Sequence, residues 1–248
     1  MSIRLRVALC FFGLVKDYGL VADSVEQFVL SPLRKAGYEY DIYIHTYNQP
    51  TVTNPRNGEK SVSINSSSIT KFYPTAIIRR DDPTTADRLH PLEYYLRNGD
   101  PWPDNPRLSM MNYIRQLYSL HMVTSLWWPS RSHYAYVVYL RPDVRFTSPL
   151  MLNPLIRERQ IAIPNFHSFT GYNDRFAYGR PLAMKTYGDR LNWVEAFFAR
   201  YKCSLHAESY LKFFLQAHGM EVILIHIHFV RVRANGQENE ADRSVQPV

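Results

Sequence analysis

Asp143 occupies the position in this sequence that best suits chemistry on a charged ligand. It follows the apolar run 134–140 within YVVYLRPDVRF, and Pro142 cannot donate a ladder hydrogen bond, so the predicted strand ends before it. Ligands of open α/β sheets bind beyond the carboxyl ends of strands, where a carboxylate oxygen suits Mg²⁺ or Mn²⁺ on a diphosphate. The alternative is that Asp143 caps a turn and pairs with Arg141 or Arg145. The spacing alone leaves both interpretations open.

The loop after the first predicted strand is a candidate phosphate-binding segment. Phe12, Gly13 and Leu14 begin this loop, FGLVKDYG, and glycine lets a backbone approach a ligand closely. Lys16 adds a positive charge that offsets phosphate. The spacings GxxxxGK[ST] and GxGxxG are absent, which excludes a P-loop and a dinucleotide fingerprint. An ordinary turn between a strand and a helix is the alternative.

Two histidines and two arginines lie in the last predicted strand, at 221–233. Its period of two places His226 and His228 on one face. Either they complete a metal site together with Asp143, or they are packed core groups. Arg231 and Arg233 take the opposite face. A planar guanidinium matches diphosphate oxygens, and a solvated surface arginine is the alternative.

Two further carboxylates are candidate general bases for an attacking hydroxyl. Asp174 lies in the loop TGYNDRFAYG, and Glu208 lies in the first turn of a predicted helix. For Asp174 the alternative is an Asx-type turn. For Glu208 the alternative is an interaction with the helix dipole, together with an ion pair to Lys212 at i+4.

The elements that position these residues predict an α/β fold, because strand-like and helix-like segments alternate. We expect one domain, 1–236, with a mixed and mostly parallel sheet flanked by helices, and then a polar, frayed tail, 237–248. Asp23 or Ser24 is expected to cap the first helix. The predicted strands lie at 6–14, 40–46, 76–79, 134–140, 160–164 and 221–233, the helices at 23–36, 109–127, 192–201 and 206–217, and a polar surface loop at 48–68.

The composition is that of a folded, soluble protein. Hydrophobic residues make up 46% and charged residues 21% of the 248, which excludes a disordered chain. Cys10 and Cys203 are too few for a disulfide framework or a four-thiolate zinc site, which favours a reducing compartment. The run 7–15 after Arg4 and Arg6 reads as a signal peptide or as a buried first strand, and the lack of a clean cleavage site favours the strand. No run approaches the roughly 18 apolar residues of a membrane span.

The chain resembles small glycosyltransferases of the GT-A fold, of the kind encoded by large DNA viruses of algae and by microbial polysaccharide clusters. The likeness lies in the order and spacing of short segments, which are ALCFFGLVKDYG, YDIYIHTYN, RQLYSLHMV, YVVYLRPDVRF, NDRFAYGRPLAMKTYGDR, HAESYLKFFL and FVRVRANG. It implies a single Rossmann-like GT-A domain. In that fold a nucleotide-sugar sits over the first βα unit, and an Asp-x-Asp motif binds a divalent ion on the diphosphate.

The resemblance assigns roles to particular residues. Asp143 in RPD matches the last aspartate of the motif, and the loop from Phe12 matches the nucleotide-contacting segment. Arg141 stands at the first aspartate, so either one carboxylate holds the metal more weakly or Arg141 contacts the diphosphate. One histidine of the last strand is implied as a late metal ligand, and Asp174 as facing the sugar or acceptor. The predicted donor site also includes Lys16, Thr46, Arg115, Ser119, Arg231 and Arg233.

The function predicted from these matches is transfer of a sugar from a nucleotide-sugar to a hydroxyl of a glycan or glycoprotein, assisted by Mn²⁺ or Mg²⁺. UDP-sugars such as UDP-xylose, UDP-glucose or UDP-galactose are favoured over GDP-sugars. Inversion with Asp174 or Glu208 as base is slightly favoured over retention, which needs no such base. The expected location is the cytoplasm, that of the host if the chain is viral. The sugar, acceptor, linkage and oligomeric state are not specified.

Two other classes fit parts of the sequence. The net charge of +7 and the 18 tyrosines suit a nucleic-acid-binding module, but the aromatic residues fall mostly within apolar runs, which favours a core. A sugar nucleotidyltransferase would carry a glycine-rich phosphate loop near the start, and FGLVKDYG is poor in glycine. Salt-sensitive binding to single-stranded nucleic acid would support the first class, and pyrophosphate release from a nucleoside triphosphate the second.

Overall fold

A seven-stranded sheet forms the centre of the molecule, and the computed structural model describes residues 5–243. One strand runs antiparallel to its two neighbours, and the other pairings are parallel. In spatial order the strands are β10 (Glu221–Ile225), β8 (Gln160–Pro164), β9 (Phe176–Gly179), β6 (Tyr134–Leu140), β1 (Arg6–Phe12), β2 (Glu39–Tyr47) and β5 (Ile77–Asp81). The prediction of an α/β fold with a mixed, mostly parallel sheet is confirmed. Residues 1–4 of the predicted domain and 244–248 of the predicted tail lie outside the described residues.

The two faces of β1 enter different hydrophobic clusters, which explains why this strand is continuously apolar. Leu9 and Phe11 point into one cluster, and Cys10 and Phe12 point into the other. Successive side chains of a strand alternate between faces, so a strand covered on both sides must be apolar at every position. The expectation of a buried first strand is therefore confirmed.

Helices cover both faces of the sheet. The long helix α6 (Leu108–Trp127) buries a stripe of Tyr113, Ile114, Leu117 and Leu120 in the cluster that contains Cys10. The other helices are α1 (Ala22–Val25), α2 (Ser31–Lys35), α3 (Ile69–Phe72), α4 (Pro83–Leu89), α5 (Leu92–Leu96), α7 (Pro181–Gly188), α8 (Val194–Tyr201), α9 (Ala207–Ala217) and α10 (Glu240–Arg243). A π-helical turn, Glu26–Leu30, joins α1 to α2, so 22–35 is one helical segment.

The strand order reverses between β1 and β6. From β1 the chain continues to β2 and β5 on one side, whereas β6 lies on the other side of β1 and leads towards β9, β8 and β10. A crevice forms beyond the carboxyl ends of strands at such a switch point, and it is where open α/β sheets bind ligands. The loops after Phe12 and Leu140 border this crevice.

The segment 48–68 contains a hairpin that the sequence does not predict. Strands β3 (Thr51–Asn54) and β4 (Glu59–Ser63) pair antiparallel, with Val52 opposite Val62. Gly58 has a φ of +70°, a left-handed conformation that closes the turn without strain. Val52 and Glu59 are the buried residues of these two strands, and they are too few to produce an alternating apolar pattern.

The predicted last strand, 221–233, is wrong as a single element. Its first part is β10, whose parallel pairing ends where Ile225 meets Pro164, a residue without a backbone donor. The chain then turns through His226 and His228 into β11 (Phe229–Arg231). This strand pairs antiparallel with β7 (Val144–Phe146) in a separate two-stranded sheet.

Two expectations about element ends also fail. The first helix has no side-chain cap, because it begins at Ala22 and the Ser24 hydroxyl donates instead to the Val21 carbonyl at 2.7 Å. Residues 237–243, expected to fray, fold against β11 and bury Asp242. Between residues 5 and 243, no helix combines the length and apolarity needed to cross a bilayer.

Candidate active site

Two loops meet at the switch point between β1 and β6. Gly13 has a φ of +106°, and a side-chain carbon there would stand 4.0 Å from Cδ of Pro142. Side chains from below hold the first loop in place, since the Gly13 amide donates to Ser119 Oγ at 2.7 Å and the Val15 amide to Thr46 Oγ1 at 2.9 Å. Ser119 and Thr46 thus position the loop, and both are buried beneath it.

A buried histidine extends this support, and the sequence analysis missed it. Ser119 Oγ lies 2.8 Å from His45 Nδ1, and His45 Nε2 lies 3.2 Å from the carboxylate of Asp81. An ionised carboxylate only accepts, so Asp81 places the imidazole proton on Nε2 and leaves Nδ1 as an acceptor. The Ser119 hydroxyl then has two acceptors within reach, His45 Nδ1 and the His45 carbonyl at 3.1 Å. His45 is fully buried, and burial lowers its pKa to about 4, against the opposing effect of Asp81. The arrangement is a neutral relay that orients Ser119 towards Gly13.

Asp143 is buried and paired with Arg141, the second of the two predicted arrangements. The Arg141 Nε and Nη2 atoms donate to the two carboxylate oxygens at 2.8 Å each. Burial disfavours the charged carboxylate, but Arg141 more than compensates and holds the pKa of Asp143 well below its usual range. Arg145, the other predicted partner, forms an ion pair with Glu238 instead.

Gln116 links this pair to the candidate base Asp174. Its Oε1 accepts from Arg141 Nη1 at 2.5 Å, and its Nε2 donates to Asp174 Oδ2 at 2.7 Å. The predicted Asx-type turn exists, but Asn173 forms it by accepting from the Arg175 amide at 3.0 Å. The Asp174 carboxylate is therefore free of that role and faces Gln116.

Glu208 lies next to Asp174 and Arg175 at the start of α9. Its carboxylate is 3.4 Å from Arg175 Nη2, and this buried arginine replaces the predicted partner Lys212, which is exposed. Burial, and then the charge of Asp174, raise the pKa of Glu208 to about 7. A carboxyl group whose pKa is raised by burial and by a neighbouring charge is a common feature of acid–base sites.

Arg231 connects these groups to the C-terminal segment. Its side chain donates to both oxygens of Asp242, at 2.8 and 2.6 Å, and its backbone amide adds a third hydrogen bond at 2.8 Å. Arg231 also acts electrostatically on Asp143, Arg175 and Glu208. We call the connected set the charge cluster, which comprises Gln116, Arg141, Asp143, Asp174, Arg175, Glu208, Arg231 and Asp242.

An open cavity of about 560 Å³ lies beside the charge cluster. We call it the arginine cavity, because its charged lining residues are Arg56, Arg145, Arg233, Arg243, Glu238 and Glu240. Glu238 bridges Arg145 and Arg243. Arg233 is half-buried, and its pKa is lowered by burial and by the neighbouring Arg231. Its guanidinium makes no hydrogen bond or ion pair with any other described residue.

Lys16, a residue of the first loop, is directed towards β4. Its Nζ is 2.9 Å from Glu59 Oε1, and the Ala234 amide donates to the same oxygen at 2.9 Å. Lys16 is thus a buried ion-pair partner that joins the loop to β4 and to the chain after Arg233. A phosphate contact from Lys16 would have to compete with Glu59.

A second cavity, of about 400 Å³, is lined by uncharged and mostly polar residues. The Asn65 amide donates to the Lys16 carbonyl at 2.6 Å, which places the cavity next to the first loop. Its lining residues are Asn48, Gln49, Pro50, Ile64, Asn65, Ser66 and Ser67.

Three predicted site residues are directed elsewhere. Arg115 is bound to Asp87 through hydrogen bonds of 2.8 and 2.6 Å, so it stabilises the contact between α6 and α4. His226 is exposed and lies 3.3 Å from the Asn165 side chain. His228 has both ring nitrogens engaged, by the Thr147 hydroxyl at 2.7 Å and by a backbone carbonyl at 3.1 Å.

The described residues do not fit a divalent cation. Both oxygens of Asp143 accept from Arg141, and neither histidine is directed towards it. Across residues 5–243, no group of three His, Cys, Asp or Glu side chains is arranged to hold a metal ion. The set of Asp143, His226 and His228 is thus not assembled, and a metal remains a prediction from the resemblance.

The fold and site together define an α/β protein with a cluster of charged side chains at the switch point of its sheet. Comparison with known proteins adds little to that description. No family model and no curated protein matches the chain. Among solved structures, mouse xyloside xylosyltransferase 1 in its apo form has a TM-score of 0.40 and 10% sequence identity, over 90% of this chain and 85% of that chain. A likeness of this strength does not establish a function.

Proposed function

We propose that the chain transfers a sugar from a nucleotide-sugar, with a UDP-sugar favoured, to a hydroxyl group of a glycan. One observation carries the proposal: Glu208, with its pKa raised to about 7, lies beside Asp174 in a cluster rich in arginine at the switch point. A transferase of this kind needs a base for the incoming hydroxyl and cations for the departing diphosphate. The charge cluster and the arginine cavity offer both.

The proposed reaction is an inverting displacement. The acceptor oxygen forms a bond to the anomeric carbon while its proton moves to the Glu208 carboxylate. The bond from that carbon to the diphosphate oxygen breaks, and its electron pair leaves with the nucleoside diphosphate. Arginine side chains neutralise the charge that builds on this leaving group. Asp174, held by Gln116, keeps Glu208 basic enough for the role.

The second cavity is the proposed place for neutral sugar hydroxyls. Its amide and hydroxyl side chains can both donate and accept, as sugar hydroxyls require, and no charged residue is among its lining. Its position beside Lys16 would set a neutral sugar next to the first loop.

The test is release of UDP from UDP-xylose, UDP-glucose and UDP-galactose with a mixture of glycan acceptors. We expect Glu208→Gln to lower the rate about a hundredfold or more, because the amide cannot accept the proton. The wild-type rate should rise with pH up to about 7, as Glu208 ionises, and the variant should lose this dependence. The control is Lys212→Gln, an exposed change on the same helix.

Two results would contradict the proposal. Near-normal turnover of Glu208→Gln would remove Glu208 as the base. Absence of UDP release from every donor, with no stabilisation of the protein by UDP, would remove the nucleotide-sugar transferase itself.

A further inference from the structure

We propose that the arginine cavity, rather than a divalent cation, holds the diphosphate of the donor. This inference rests on the proposed function and names the groups that take the leaving-group charge. Asp143 is the carboxylate expected to bind the metal. Its two oxygens already accept from Arg141 in a bidentate pair, so a cation would have to break a buried ion pair to reach them.

The cavity is built from four separate parts of the chain, all of which contribute arginine. Arg56 comes from the β3–β4 turn, Arg145 from β7, Arg233 from the segment after β11, and Arg243 from α10. The planar fork of a guanidinium donates two parallel hydrogen bonds to a phosphate. A volume of about 560 Å³ falls within the range of small-ligand sites.

Arg233 is the arginine of this cavity best placed to bind an anion. Arg145 and Arg243 are both paired with Glu238, and Arg56 with Asp104 at 2.9 Å. Arg233, in contrast, has no carboxylate in ion-pair contact within residues 5–243. Its charge is half-buried next to Arg231, so an incoming phosphate would relieve both desolvation and like-charge repulsion.

The position of the cavity connects it to the proposed reaction. Arg145 follows the turn that carries Arg141 and Asp143, and Arg233 precedes the Ala234 amide bound to Glu59, the partner of Lys16. The cavity is thus lined by the chain that continues from β6 and by the segment whose Ala234 amide shares the Glu59 carboxylate with Lys16. A diphosphate in the cavity would lie against these two segments, each of which is connected to one loop of the switch point.

The test is calorimetric titration of the full chain with UDP and with GDP, each in EDTA and in Mn²⁺. We expect UDP to bind with the same affinity, within about threefold, in both solutions. Arg233→Gln should weaken UDP binding about tenfold or more, while binding of uridine, which lacks phosphate, stays unchanged. Arg233→Lys keeps the charge but loses the planar fork, so its affinity for UDP should lie between those of the wild type and Arg233→Gln.

The matched control is Arg157→Gln, which removes the same charge from an exposed ion pair with Glu221 outside the cavity. Nucleotide binding that requires Mn²⁺ would overturn the inference and leave the proposed function standing. Equal binding of UDP by the wild type and by Arg233→Gln would also overturn it. Failure of both nucleotides to bind in either solution would overturn the inference and the proposed function together.

Discussion

His45 shows how one residue can support a site that it does not touch. It is buried between Ser119 and Asp81, and its neutral form orients the hydroxyl that receives the Gly13 amide. A proton on Nδ1 would leave Ser119 with the His45 carbonyl as its acceptor and would place a charge in the core. An uncharged imidazole therefore adds to the support of the loop after β1.

We predict that this histidine makes stability depend on pH between about 6.5 and 4. The folded pKa of about 4 is below the unfolded value of 6.5, so the unfolded state binds more protons in this window and stability falls as pH decreases. The contribution is at most about 3 kcal/mol. Urea unfolding at several pH values measures it.

His45→Gln should flatten this slope without abolishing it. His90, His167 and His206 also have their pKa lowered by burial and will contribute to the same window. His133→Gln, at an exposed position, is the control and should keep the wild-type slope. An unchanged slope in His45→Gln would show that His45 does not titrate as described.

Among single residues, the sequence identified most of the charged groups and the pair of Arg141 with Asp143, but not the partners that lie far apart in the chain. Carboxylates and guanidiniums at the ends of predicted strands and helices can be identified from the sequence, and Asp174, Glu208 and Arg231 are of this kind. Gln116 is not, since its role comes from spanning Arg141 and Asp174, which lie far apart in the chain. Partnerships of this kind depend on tertiary contacts and leave no local pattern.

The start of α9 is held by a loop that passes unusually close to it. The Tyr172 amide donates to the Glu208 carbonyl at 3.1 Å, and Gly171 packs on the same peptide group. A side-chain carbon on Gly171 would stand 1.8 Å from the Glu208 carbonyl oxygen. This element contact, and not the side chain of Glu208 alone, sets where the proposed base lies.

Gly171→Ala should therefore separate the loop from α9. We expect a loss of about 1–3 kcal/mol in the free energy of unfolding, because the added carbon overlaps backbone that cannot move independently. Gly19→Ala, whose new carbon would lie 3.3 Å from a flexible carboxylate oxygen of Asp17, is the control. Thermal unfolding compares the two variants, and equal melting temperatures would contradict the close packing.

Elements with a buried face were predictable, and exposed ones were not. The strands at 134–140 and 160–164 have the predicted bounds, since nearly every side chain in them is buried. The β3–β4 hairpin was not predicted because its strands are mostly polar and mostly exposed. The break at 226–228 was not predicted because the apolar alternation continues from β10 in one sheet to β11 in the other.

On the scale of the whole molecule, the C-terminal segment is part of the charged site. Asp242, on α10, neutralises Arg231 within a region that also contains Arg175 and Arg233. The pKa of Asp242 is held below its usual value because the effect of Arg231 exceeds that of burial. The segment therefore balances charge that the rest of the fold brings together.

Asp242→Asn should destabilise the whole protein. The variant leaves half-buried Arg231 without its carboxylate next to Arg175 and Arg233, and we expect a loss of about 3 kcal/mol in the free energy of unfolding. Glu240→Gln, at an exposed position on the same helix, should cost much less. Similar urea midpoints for the two variants would mean that the C-terminal segment does not stabilise the fold.

The direction of β9 determines at which edge of the sheet Asp174 lies. Asp174 and Arg175 come before β9, and that strand runs against β6 with Leu140 opposite Phe176. Because β9 is antiparallel to β6, the N-terminal end of β9 and the C-terminal end of β6 lie at the same edge of the sheet. Residues that precede β9 and residues that follow β6 are therefore neighbours there. Had β9 run the other way, its four residues would have carried this aspartate some 13 Å off, to the far rim of the sheet.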